Sequence, residues 1–190
     1  MNYKELLNIA THKIIYNTND LPQNAFSIAL QQGIRLKNSI ECKEDFKDSY
    51  PLTHTNALYA LYKNEYTIYY DENFPYKNFA IAHEIAHHLL NHTTDGAAQH
   101  QEAQLLAAIL IAPPHLINTN KIKSAINLSE TCKMPIDIAE RYWHEINNCH
   151  SVLKQDYASK TLMSIIASAV IIIGSISLSK VKNNINRRNL

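Results

Sequence analysis

The chain has 190 residues, 46% of them hydrophobic and 18% charged, with a formal net charge of +1 at pH 7. That length accommodates one domain with an appendage, and with a charge so near zero no strong overall electrostatic pull toward nucleic acid is expected. With only 3 glycines, and neither G-x-G-x-x-G nor G-x-x-x-x-G-K, a glycine-rich phosphate-binding fold is excluded as well.

In chain order, Leu6, Leu7, Ile9, Ala10 and Ile14 place a helix over residues 3–16. Pro22 opens a second helix that ends near Gln32, with Gly33 as its C′ residue. Residues 34–40 read as a strand and 41–55 as polar and irregular. Ala57–Tyr62 and Tyr66–Tyr70, joined by Lys63-Asn64-Glu65, read as an antiparallel hairpin rich in aromatic and β-branched residues. A helix over 76–92 follows, then one over 98–112 that stops at Pro113-Pro114, then short helices over 115–127 and 135–148.

This pattern predicts an α+β domain over residues 1–150, mainly helical with a small antiparallel sheet. The three cysteines, Cys42, Cys132 and Cys149, form no C-x-x-C and read as reduced thiols. The N-terminal Met1-Asn2-Tyr3-Lys4-Glu5 lacks the apolar core of a signal peptide, so the domain is expected in the cytoplasm.

Residues 160–190 form a second unit. Leu162 to Ser179 carries no charge and, at 18 residues, meets the lower limit for a membrane-spanning helix; a basic tail follows it. The expectation is a C-terminal membrane anchor. The competing reading is a buried or partner-docked helix, because five serines and Gly174 lower its hydrophobicity. Flanking lysines and arginines on both sides leave its orientation open.

The chemistry is concentrated in His83-Glu84-Ile85-Ala86-His87, an H-E-x-x-H sequence in the helix over 76–92. Two imidazoles at i and i+4 share a helix face about 5–6 Å apart, close enough to meet one Zn2+ ion at about 2.0–2.1 Å. Glu84 lies between them, placed to take a proton from a water beside the metal rather than to ligate. A catalytic zinc usually has three protein ligands. The longer three-histidine pattern fails, because Leu90 and Thr93 occupy its further positions. His88, His92 and His100 are nearby alternatives, but on a continuing helix His88 lies about 100° and His92 about 140° around from His87. Glu102 fits better: it is the only charged residue of its helix, on a stripe with Leu106, Ile109 and Pro113. A carboxylate on a core-facing stripe requires a partner, and a metal on the neighbouring helix would be one. The alternative is that Glu102 sits half exposed in the first turn and favours the helix dipole.

Phe79-Ala80-Ile81-Ala82-His83-Glu84-Ile85-Ala86-His87, followed by Glu102-Ala103-x-x-x-Ala107-Ala108-x-Leu110-x-x-Pro113, resembles the ImmA/IrrE metallopeptidase family. That family's pattern is F-T-I-A-H-E-L-G-H, then E-A-N-x-F-A-A-x-L-L-M-P. Ala86 and Gln104 depart from it, standing where the family has Gly and Asn. The resemblance is specific over residues 79–113. It implies a zincin-like domain with one zinc ion on His83, His87 and Glu102, and Glu84 as general base. It also implies a protein substrate, in several members a helix-turn-helix repressor of a mobile element or stress regulon.

Candidates for an auxiliary group that stabilises the transition state are Tyr76, His88, His92 and Tyr142. The expected function is therefore a zinc metallopeptidase acting on a specific protein. The alternative is a non-catalytic metal-binding regulator at the membrane. Direct nucleic-acid binding is not expected, since 115–148 has few basic residues and no clear recognition helix.

Overall fold

Asparagine caps define the first helices. In this computed structural model, which describes residues 1–16, 19–47, 51–53, 55–94 and 96–149, helix α1 (Tyr3–Lys13) starts in a reciprocal capping box. The Asn2 side chain accepts the Glu5 N–H at 3.0 Å and the Glu5 carboxylate accepts the Asn2 N–H at 2.9 Å. Helix α2 (Ala25–Gln31) starts three residues after Pro22, because the Asn24 side chain accepts the Phe26 N–H. Gly33, at φ +68°, ends it as expected.

Strand β1 (Arg35–Asn38) is shorter than the segment 34–40. Asn38 turns the chain into helix α3 (Ser39–Phe46) by accepting the N–H groups of Ile40 and Glu41, while Glu41 caps Asn38 in return. Residues 39–46 are thus a helix and not irregular chain.

A 3-10 turn (Pro51–Thr53) leads into β2 (Ala57–Tyr62) and β3 (Glu65–Tyr70). Their connection has two residues: Lys63 at φ +49° and Asn64 at φ +64° form the left-handed pair that suits a tight hairpin, so Glu65 joins the strand and pairs with Tyr62. β1 lies parallel to β3, with Leu36 opposite Ile68, in the order β1-β3-β2. The sheet is mixed rather than purely antiparallel, because α3 and the 3-10 turn carry the chain across before it re-enters the sheet. This leaves β2 at an edge.

Helix α4 (Lys77–Leu89) is tied to the start of α2 by Asn78, which accepts the Ala25 N–H and donates to the Gln23 carbonyl, both at 2.9 Å. Helix α5 (Ala97–Ile111) follows. The expected helix over 115–127 divides into α6 (Pro114–Thr119) and α7 (Ala125–Cys132), with Lys121 at φ +58° in the break. The last helix, α8, covers 136–149.

Met1–Ile146 pack as one unit around α5, in which Leu105 to Ile111 are all buried. α1 and α4 pack on α5, and α4 also packs on α2 and β2. The Tyr142 hydroxyl of α8 donates to the Ala112 carbonyl at 2.6 Å, where α5 has run out of backbone partners of its own. Among the described residues no helix is long and apolar enough to cross a membrane. The segment 162–179 expected to be an anchor lies outside them. Cys42, Cys132 and Cys149 are free thiols, as expected.

Candidate metal centre

Helix α4 is amphipathic: Phe79, Ile81, Ala82, Ile85 and Ala86 are buried, and the motif histidines lie at the boundary of that face. The i, i+4 spacing brings the Nε2 atoms of His83 and His87 to 3.1 Å. A third ring joins them from the first turn of α5. His100 stacks on His83 with ring centroids 5.3 Å apart, and its Nδ1 lies 3.1 Å from His83 Nε2. One ring nitrogen from each of the three residues falls within 4.8 Å of the other two, close enough to bind one metal ion.

The donor set fits a metal. An imidazole nitrogen carries one proton or one lone pair, so His83 Nε2 cannot form two linear hydrogen bonds to two ring nitrogens at once. Three lone pairs converging on a shared cation suit that spacing, since nitrogens bound at about 2.0–2.1 Å in a tetrahedron lie roughly 3.4 Å apart. Neutral imidazoles suit zinc, copper, iron and nickel alike.

Glu102 stands behind this cluster. Its carboxylate pairs with the Met1 amine and, at 3.4 Å, with His92 Nε2. The Met1 ammonium foremost, with His92, holds the Glu102 carboxyl below the usual carboxylate range against the opposing effect of burial. His92 Nδ1 in turn lies 3.0 Å from His87 Nδ1. The structure therefore gathers His100, not Glu102, with His83 and His87; Glu102 reaches the cluster through His92.

His92 departs from the position a continuing helix would give it. α4 stops at Leu89, and Asn91, at φ +53°, turns the chain back. The His92 N–H then bonds the His87 carbonyl and the Asn91 N–H the His88 carbonyl, both at 3.1 Å, the two bonds of a Schellman closure. The angular argument from the helical repeat fails here because the helix has ended. Asn91 was the available signal, since Asn tolerates the left-handed conformation.

Glu84 faces the sheet edge. Its Oε2 accepts the Tyr59 N–H of β2 at 3.0 Å, which fixes the carboxylate between the helix and the edge strand. The Tyr59 hydroxyl bonds His88 Nδ1 at 2.6 Å, and the Tyr59 ring stacks on Tyr66. Burial, and then Tyr66, push the Tyr59 phenol up to about 12. Burial also lowers the His88 imidazole. His88 thus packs against the hairpin and away from the histidine cluster. Tyr142, fully buried and hydrogen-bonded to α5, is a packing residue. Tyr76 lies at the rim of a separate hollow beside His83.

A cleft of about 390 Å3 opens over the cluster, lined by Tyr59, Glu84, His87, His92, Thr94 and His100 among others. The chain matches no protein-family model and no curated protein.

Proposed function

We propose that the chain is a zinc-dependent peptidase of the ImmA/IrrE type that hydrolyses a peptide bond in a specific protein. The observation that carries this reading is the convergence of three histidine ring nitrogens beside a carboxylate fixed by the edge strand. When bound, the metal supplies Lewis acidity that polarises the scissile carbonyl and acidifies water. Glu84 accepts the proton of the attacking water as oxygen adds to the carbonyl carbon. It then passes that proton to the amine nitrogen as the C–N bond breaks.

His83, His87 and His100 hold the metal in this reading. His87 presents Nε2 to it, so its Nδ1 carries the proton and donates to His92, which can donate from Nε2 to Glu102. Such an outer partner orients a ligating histidine and raises its basicity. The family resemblance would make Glu102 the third ligand; the distances favour His100. β2 is an edge strand beside Glu84; apart from the Tyr59 N–H, which Glu84 accepts, its edge suits an extended substrate segment that adds by main-chain hydrogen bonds. Helix-turn-helix repressors are the first substrates to try.

The test measures zinc content and cleavage of candidate repressors for wild type and Glu84→Gln. Retained zinc with lost cleavage supports the reading, and full cleavage by Glu84→Gln contradicts it.

A further inference from the structure

Glu84 lines two hollows. The cleft of about 390 Å3 over the histidine cluster has His92, Thr93, Thr94 and His100 in its walls, beside Leu58 and Tyr59. The second, of about 210 Å3, lies towards the start of β2 and is the more aromatic of the two. Its walls include Phe74, Tyr76, Phe79 and Ala80, with Asn56 and Gln104 as neutral polar groups and His83 and Glu84 at the side nearest the candidate metal centre. Phe74 and Tyr76 meet edge to face at 5.7 Å and 81°. Phe79 is buried at the base of α4's apolar face, while Ala80, half-buried, keeps the wall low. Beyond His83 and Glu84, no Asp, Glu, Lys, Arg or His lines this hollow.

We infer that this second hollow is a specificity pocket. It receives one apolar or aromatic side chain of the substrate, from a residue flanking the scissile bond on the side towards the start of β2. The inference rests on the peptidase reading and adds to it the chemistry of the bond selected. A peptide lying along the β2 edge past Glu84 must pass both hollows, because Glu84 belongs to both. A charged side chain entering the aromatic hollow would give up water with no opposite charge to replace it, and a carboxylate would also face Glu84. An apolar side chain meets the rings of Phe74, Tyr76 and Phe79 and brings no polar group of its own to desolvate. The volume suits a single bulky side chain. The preferred substrates are therefore segments with Leu, Ile, Met, Phe or Tyr beside the cleaved bond.

The test uses the metal-loaded full chain and three blocked dipeptide hydroxamates that differ only in one side chain: benzyl, isobutyl or carboxymethyl. The hydroxamate anchors each probe at the metal, so affinity reads the pocket without any turnover. The benzyl or isobutyl probe is expected to bind about tenfold or more tighter than the carboxymethyl one. Ala80→Leu, which fills the hollow, and Phe74→Ala, which removes an aromatic wall, are each expected to shrink that ratio severalfold. Equal affinities for all three probes overturn the inference, as does a ratio unchanged in both variants. Cleavage-site mapping on a peptide mixture separates this outcome from the parent reading. Cleavage without apolar preference overturns the pocket. Hydroxamate discrimination without any cleavage supports the pocket and overturns the peptidase reading.

Discussion

Helices α4 and α5 both contribute to the candidate centre, yet they are built on opposite plans. α4 has one buried face and one that meets the clefts, so functional side chains occupy its whole second half: His83, Glu84 and His87. α5 is buried on all sides from Leu105 to Ile111, and only its first turns, with His100 and Glu102, can carry polar groups. An amphipathic helix can host chemistry at any turn along its open side. A central core helix can do so only at an end, where its polar side chains cost no buried desolvation. On this packing α4 offers side chains to the clefts along its length, and α5 is the buried element against which it is positioned.

Breaking either helix should therefore give different losses. Glu84→Gln on α4 should lower peptide cleavage by about 10²–10⁴-fold, the usual share of general acid–base catalysis, with the melting temperature and zinc content near wild type. Ile109→Ala in the middle of α5 should do the reverse. Chemical denaturation should show a loss of about 2–5 kcal/mol, because this fully buried side chain leaves a cavity in the core. Glu102→Ala should weaken zinc affinity by about 10–100-fold, the effect of an outer-sphere partner, when measured by competition with a chelator. A loss as complete as that of His87→Ala would instead make Glu102 a ligand.

The smallest expected effect lies away from both helices. The Asp45 carboxylate pairs with Lys37 and accepts the Tyr69 hydroxyl at 2.8 Å. The Lys37 ammonium foremost, helped by Tyr69, holds the Asp45 carboxyl below its ordinary value. A depressed folded-state pKa adds stability above the unfolded value of about 4, and that stability is lost as pH falls through the folded pKa. Asp45→Asn should flatten the acid limb of the stability–pH curve below about pH 4 and leave zinc binding unchanged.

Much of this architecture was legible from residue patterns. The period of Phe79, Ala82, Ile85 and Ala86 placed α4, and H-E-x-x-H named the residues that converge. The hairpin was legible from its aromatic and β-branched runs even without Asn-Gly. The Asn38-x-x-Glu41 box signalled α3, but the polar character of the segment masked it. The parallel pairing of β1 with β3 depends on contacts distant in sequence, which no local pattern encodes. At the candidate metal centre, Glu102 stands out by pattern because an isolated carboxylate on an apolar helix demands a partner. The structure supplies that partner as Met1 and His92. His100 was within view as a neighbouring histidine, but choosing it required the packing of α5 on α4, and drawing in His92 required the turn at Asn91.

The central claim is that His83, His87 and His100 hold one metal ion. Its most direct test is metal stoichiometry after zinc loading and dialysis, compared for wild type, His83→Ala, His87→Ala, His100→Ala and Glu102→Ala, all confirmed as folded by circular dichroism. One zinc per chain is expected in wild type, with its loss in each of the three histidine variants and retained though weakened binding in Glu102→Ala. Full zinc occupancy in His100→Ala, together with its loss in Glu102→Ala, would contradict the claim.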